Sequence, residues 1–310
     1  MATPKMLLIL SENWTMTSGR DLHALLRWAR EAEDAGFDAV MLSEHIVLGP
    51  DSGAAGRMDN PREYALPGNQ DPATPWPSSL VLLAAIAAAT RRVRLVAGAV
   101  LAPLRHPLLL AKELATLDLL SDGRLVVQPT VSWSRDEYAA LNVPFERRGA
   151  LLDEHLTAWR TLWQDTPATF DGRHYRFRDV YLEPKPFRPA GPRLWFGGST
   201  LHPRLIDRLV RYADGFNPLG RPGPDSLRRL HKAMTEAGRD PAGLEMVGGT
   251  RATFDGDHCV ADLDRALDAI PEQTAAGFTT FCVKPSQFID DPDGVGSFCR
   301  EVMRKVAKMS

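Results

Sequence analysis

The chain has 310 residues, 44% of them hydrophobic and 25% charged, the balance of a globular protein long enough for one large barrel or two ordinary domains. Its formal charge of −2 offers no basic footprint for nucleic acid, and its longest apolar run, residues 80–89, is too short to span a bilayer. Three unclustered cysteines argue for a reducing compartment over a disulfide frame or zinc site, and without a signal-peptide pattern the expectation is a cytoplasmic protein.

In chain order, short apolar runs alternate with amphipathic stretches. Strands are predicted at residues 6–10, 39–42, 93–99 and 125–129, then at 193–196, 215–217, 245–248 and 279–283. Helices are predicted between them. Residues 19–35 stop at Gly36, and residues 78–89 open on Ser78, a suitable N-cap. The next helix begins at Pro107, which a first turn tolerates, carries Leu110, Leu114 and Leu117 on one side, and stops at Ser121, Asp122 and Gly123. Residues 148–163 align Leu152, Leu156, Trp159 and Trp163; stretches at 203–212, 226–237, 262–276 and 295–307 complete the series. A strand–helix–strand crossover makes successive strands parallel. Eight such pairs are the count of a closed (β/α)8 TIM barrel, an α/β fold, and no linker divides residues 1–310.

Insertions interrupt this rhythm after strands 2 and 4. Residues 49–77 are rich in Gly, Pro, Asp and Asn and lie on the face where such barrels keep their sites. They are expected to form either a partly mobile substrate cover or a drifted loop. Residues 166–192 contain TFDGRHYRF, in which Asp171-Gly172 predicts a hairpin with positive φ at its turn. That hairpin suits a barrel cap or a homodimer contact.

The candidate chemistry sits at strand ends. Strand 2 runs into Ser43, Glu44 and His45, whose imidazole suits proton donation or acceptance; the same position also suits a structural histidine closing a strand. Gly98, Ala99, Val100 and Leu101 close strand 3, compatible with tight strand-to-loop packing. Strand 4 ends in Thr130, Val131, Ser132 and Trp133, followed by Asp136-Glu137-Tyr138, read as a solvated helix start. Gly197, Gly198, Ser199 and Thr200 follow an apolar strand and precede a helix. Glycines admit an anion to backbone N–H groups, hydroxyls add donors and the helix adds partial positive charge, so this is a phosphate-site candidate. Trp14 and Trp76 fall in rim loops, while Arg221 and Lys284 read as solvated charge near strand ends. No HExxH, GxSxG or GxGxxG pattern occurs, which argues against metal catalysis, an esterase elbow and a Rossmann site.

The segments AEDAGFDAVMLSEH, RRVRLVAGAVLAPLRHP, LWFGGST and RYADGFNP resemble the luciferase-like oxidoreductases over nearly the whole chain. WPSSLVLLAAIAAATRRVRL and DGRHYRFRDVYLEPKPF look most like the branch that uses the deazaflavin coenzyme F420. The resemblance implies hydride transfer between F420 and a small-molecule organic substrate, with reduced FMN and oxygen as the alternative chemistry. It implies that His45 lies beside the ring and carries the proton, with Glu44 orienting it or touching the coenzyme. It places a bulge with a non-proline cis peptide between Ala99 and Val100 behind the ring, and the phosphate on Gly197, Gly198, Ser199 and Thr200. Relatives read GVGxGW at strand 4, where this chain has Gln128-Pro129-Thr130-Val131-Ser132-Trp133; Pro129 and Val131 narrow that approach, leaving Thr130 and Ser132 as donors. More distant alternatives are a lyase or isomerase acting on a phosphorylated metabolite, for which Lys284 is the obvious Schiff-base lysine, and a coenzyme-binding protein without turnover.

Overall fold

The computed structural model describes residues 3–309. Its barrel strands are β1 (Lys5–Ile9), β2 (Ala39–Leu42), β3 (Arg94–Leu101) and β4 (Leu125–Thr130). After a separate hairpin of β5 (Ala168–Asp171) and β6 (Arg176–Val180) come β7 (Arg193–Phe196), β8 (Gly215–Phe216), β9 (Glu245–Gly249) and β10 (Thr280–Val283). The eight barrel strands are parallel and close in the order β1-β10-β9-β8-β7-β4-β3-β2. The α/β barrel read from the sequence is therefore the fold.

Strand alternation separates two cores. Leu7, Ile9, Ala39, Val96, Val126, Trp195, Val247 and Cys282 fill the barrel interior. Met6, Leu8, Val40, Leu95 and Val127 point outward under the helices. The helices are α1 (Leu22–Ala35), α2 (Ser79–Ala89), α3 (Pro107–Leu120), α4 (Arg135–Ala140), α5 (Arg148–Gln164), α6 (Pro203–Tyr212), α7 (Pro224–Glu236), α8 (Leu263–Leu267), α9 (Ala269–Ala275) and α10 (Val295–Val306). Asp21 caps α1 by accepting from Ala24 N at 3.1 Å, and Gly36 ends it at φ 94°, a conformation that favours glycine. Among the described residues no helix is long and apolar enough to cross a membrane.

Charged groups shut the N-terminal end of the barrel. Arg94 bonds Asp38 and, at 2.8 Å, both carboxylate oxygens of Glu245, while lying over the Trp195 ring. Burial pushes the Glu245 carboxyl up, but Arg94 and the Thr280 hydroxyl outweigh it and hold it below the usual carboxylate range. The opposite end is left for the site.

Some local expectations are corrected. Ser78 makes no side-chain cap; the Ser79 hydroxyl donates instead to Glu44 at 2.9 Å. The helix expected at 262–276 is divided into α8 and α9 at Asp268, because Pro271 has no N–H to continue the ladder to Leu267. The hairpin forms, but without positive φ at Asp171 or Gly172. Its turn is held by Glu154, which accepts from the backbone N–H groups of Arg173, His174 and Tyr175. Gly172 is needed because a Cβ there would lie 2.4 Å from Glu154 Oε2.

Candidate active site

The C-terminal ends of the strands open into a cavity of about 790 Å³. Ile9, Met41, Phe196 and Cys282 rise into it from the strands. Residues expected on separate loops meet around it.

His45 lines the cavity with its side chain 8% exposed. Its ring stands edge-on to Trp76 at 5.0 Å and to Trp133 at 5.5 Å, and Trp76 in turn meets Trp14 at 5.7 Å. The rim tryptophans are thus a wall around the imidazole. Gln70 Nε2, from the long insertion, lies 3.4 Å from His45 Nε2.

Glu44 also lines the cavity, but its carboxylate serves the scaffold. Leu101 N donates to it at 2.7 Å, Ser79 Oγ at 2.9 Å, and Arg105 through both terminal nitrogens at 2.8 and 3.0 Å. These bonds fasten the end of β3 to β2 and commit the Glu44 carboxylate away from its chain neighbour His45.

The carboxylate near the imidazole is Glu137, which the sequence reading placed on a solvated helix. It is fully buried, with Oε2 3.2 Å from His45 Nδ1. Ile46 N donates to Oε1 at 2.8 Å and the Ser132 hydroxyl to Oε2 at 2.9 Å. The available signal was Ser134-x-x-Glu137, a capping-box spacing. Ser134 does cap α4, accepting from Glu137 N at 3.3 Å, but the glutamate turns inward. Tyr138 beside it is also fully buried, its hydroxyl donating to Val131 O.

The bulge in β3 falls at Ala99, where pairing with β4 steps from Gly98 directly to Val100. The cis peptide joins Gly98 to Ala99, one bond earlier than expected. The bulge changes the phase of the strand: Gly98, Ala99 and Leu101 line the cavity, while Val100 is fully buried in the outer core. The coenzyme contact expected of Val100 is therefore not in place. At β4, Thr130, Val131 and Ser132 all reach the cavity, with Ser132 at φ 59° and its hydroxyl committed to Glu137.

Across the mouth, Gly197, Gly198, Ser199 and Thr200 form one edge between β7 and α6. A Cβ on Gly197 would lie 2.6 Å from Asn217 O and 2.7 Å from Gln128 Nε2, so only glycine fits. Gln128 is itself held by Asn217 Nδ2 at 2.9 Å. A side-chain-free backbone, two hydroxyls and a helix N-terminus form a donor set suited to a phosphate. The residues present therefore fit a phosphate-bearing coenzyme.

The insertion at 49–77 lies over the cavity and contributes Tyr64 and Pro67. Buried side chains fasten it. Asn60 donates to Gly256 O and Cys259 O, each at 3.0 Å, and Arg62 pairs with Asp290. Lys284, expected at the surface, is fully buried, donates to Glu63 O at 3.1 Å and lies over the Tyr64 ring. Burial pulls its pKa down to about 8. Lys284 is not among the lining residues, whereas Arg221 stands exposed at the mouth.

The uncharacterized protein Rv0953c of Mycobacterium tuberculosis is 35% identical over 217 residues, 68% of this chain and 74% of that protein. An FMNH2-dependent dimethylsulfone monooxygenase of Pseudomonas putida is 31% identical over 141 residues, 44% of this chain and 38% of that one. An F420-dependent glucose-6-phosphate dehydrogenase of Beutenbergia cavernae is 28% identical over 265 residues, 83% of this chain and 70% of that one. The crystal structure of the monooxygenase RslO1 from Streptomyces bottropensis shares the fold with a TM-score of 0.72 at 23% identity, covering 98% of each chain. The luciferase-like monooxygenase family model matches residues 5–282, and the chain belongs to that family.

Proposed function

We propose that the protein is an F420-dependent oxidoreductase, moving hydride between the deazaflavin coenzyme and a small organic substrate. The observation that carries the proposal is the union, in one cavity, of an anion-accepting glycine loop and a buried imidazole. The deazaflavin is favoured over FMN by the extent of likeness: the F420-dependent relative aligns over 265 residues and the FMNH2-dependent one over 141. The second reading, a monooxygenase using reduced FMN and oxygen, is supported by the 31% identity of that shorter match.

When bound, F420 supplies a two-electron hydride carrier. The chain supplies the grip, the shape and the proton. Residues 197–200 would hold the phosphate through backbone N–H groups and the hydroxyls of Ser199 and Thr200. Gly98 and Ala99, which line the cavity, would back the ring with at most a methyl group. Trp76 and Trp133 shield the imidazole from water. His45 would deliver a proton from Nε2 to a C=O or C=C group on reduction, or take one at Nε2 from the O–H or adjacent C–H on oxidation, with Gln70 giving up its place at that nitrogen.

Titration of the purified protein with F420, oxidised FMN and reduced FMN tests the proposal, following coenzyme fluorescence under anaerobic conditions. Saturable binding of F420 in preference to either flavin form is expected. Tight binding of FMN with no affinity for F420 would overturn the deazaflavin reading in favour of the monooxygenase.

A further inference from the structure

We infer that Glu137 is the positioning residue for His45, setting the imidazole proton on Nδ1 and leaving Nε2 as the nitrogen that works. The inference rests on the oxidoreductase reading only for what that nitrogen is used for. A buried carboxylate is costly unless its oxygens are satisfied. Glu137 is fully buried; Oε1 accepts from Ile46 N at 2.8 Å, Oε2 accepts from Ser132 Oγ at 2.9 Å, and Oε2 lies 3.2 Å from His45 Nδ1. The Nδ1–H direction misses a linear hydrogen bond, so the carboxylate acts on that proton by charge at close range.

The neighbouring acids are committed elsewhere. Glu44 is taken up by Arg105, Ser79 and Leu101 N, and Asp136 accepts from Asp51 N at 3.1 Å. On the other side of the ring, the Gln70 side-chain amide stands 3.4 Å from Nε2, where it can meet either a lone pair or an N–H. The charge on Glu137 therefore decides the tautomer. Glu137 is also rigid: Ser134 caps its helix, and Tyr138 packs its ring on Phe145 at 5.2 Å. By bonding Ile46 N and Ser132 Oγ together, it ties the loop after β2 to the loop after β4 and so sets where the imidazole stands.

The test is 15N NMR of the whole chain with labelled histidine, the His45 signal being identified by its loss in His45→Gln. The neutral ring of the unaltered protein is expected to carry its proton on Nδ1. In Glu137→Gln the Nδ1–H to Nε2–H ratio should fall by about tenfold, the scale of one charge-assisted contact. Glu137→Asp, which keeps the charge, should recover part of it. A neutral ring protonated on Nε2 in the unaltered protein would overturn the inference without any variant, as would an unchanged ratio in Glu137→Gln. If His45→Gln keeps full turnover while the ratios behave as stated, the proton step fails and the positioning role stands.

Discussion

The two ends of the cavity are built on opposite rules. At the mouth between β7 and α6, the conformation is set by missing side chains: a Cβ on Gly197 would meet Asn217 O at 2.6 Å, and Ser199 and Thr200 remain exposed. Between β2 and β4 it is set by side chains that are present and paired, with Glu137 fully buried and tryptophans on either side of His45. An anion shared among several N–H dipoles tolerates nearby water. A proton directed to one ring nitrogen does not, because water offers it other partners. Under the proposed function, the difference would separate holding from reacting within one pocket.

His45→Gln should cause the largest loss. It keeps a polar group but cannot trade a proton at neutral pH, so turnover is expected to fall by about 10²–10⁴-fold while coenzyme affinity barely moves. Steady-state rates set beside direct binding titrations check this; full turnover in the variant would reduce the imidazole to a spacer. Gly197→Ala should give the reverse pattern. The methyl group displaces either Gln128 or the Asn217 carbonyl, and coenzyme affinity is expected to drop by about 10- to 100-fold, the scale of one or two lost hydrogen bonds. Turnover at saturating coenzyme should change less. Equal losses of affinity and saturated turnover in both variants would erase the division between the two ends.

The smallest effect on turnover is expected at a position outside both ends, where the change is one of stability. Burial holds the Lys284 pKa near 8, below its ordinary value of 10.5. The unfolded chain therefore binds the extra proton between those values, and native stability should rise with pH across that window. Lys284→Met should stabilise the protein at pH 7 by about 1–3 kcal/mol, after loss of the bond to Glu63 O, with the advantage fading towards pH 10.5. Denaturant midpoints at several pH values measure it.

The barrel was legible because its strands are short apolar runs ending in glycine or small polar residues, and crossovers between parallel strands leave few alternatives. The place of the glycine loop on the cavity edge was legible for the same reason: it lies in consecutive residues directly after a strand. Glu137 was not, because Ser134-Arg135-Asp136-Glu137 reads as an ordinary helix opening and nothing local shows that its third turn-forming residue faces Ile46. Glu44 misled in the opposite way. The family resemblance suggested an orienting partner for His45, but successive residues at a strand end point apart, and the carboxylate went to Arg105. Val100 was misplaced by a single bulged residue, which exchanges the two faces of a strand. Lys284 followed a strand like many surface lysines, and only the fold of a distant insertion buried it.

That insertion has an evolutionary consequence. Asn60, Arg62 and the carbonyl of Glu63 are moored to the segments after β9 and β10, and Gln70 N is bonded to Ser52 O at 2.7 Å. Tyr64 and Pro67, which face the cavity, lie between those moorings. Substitutions there can alter the shape presented to a substrate while leaving the barrel, the glycine loop and the imidazole as they are. Descendants of this chain can thus acquire new substrates through a handful of changes in one tethered span, without reinventing the chemistry beneath it.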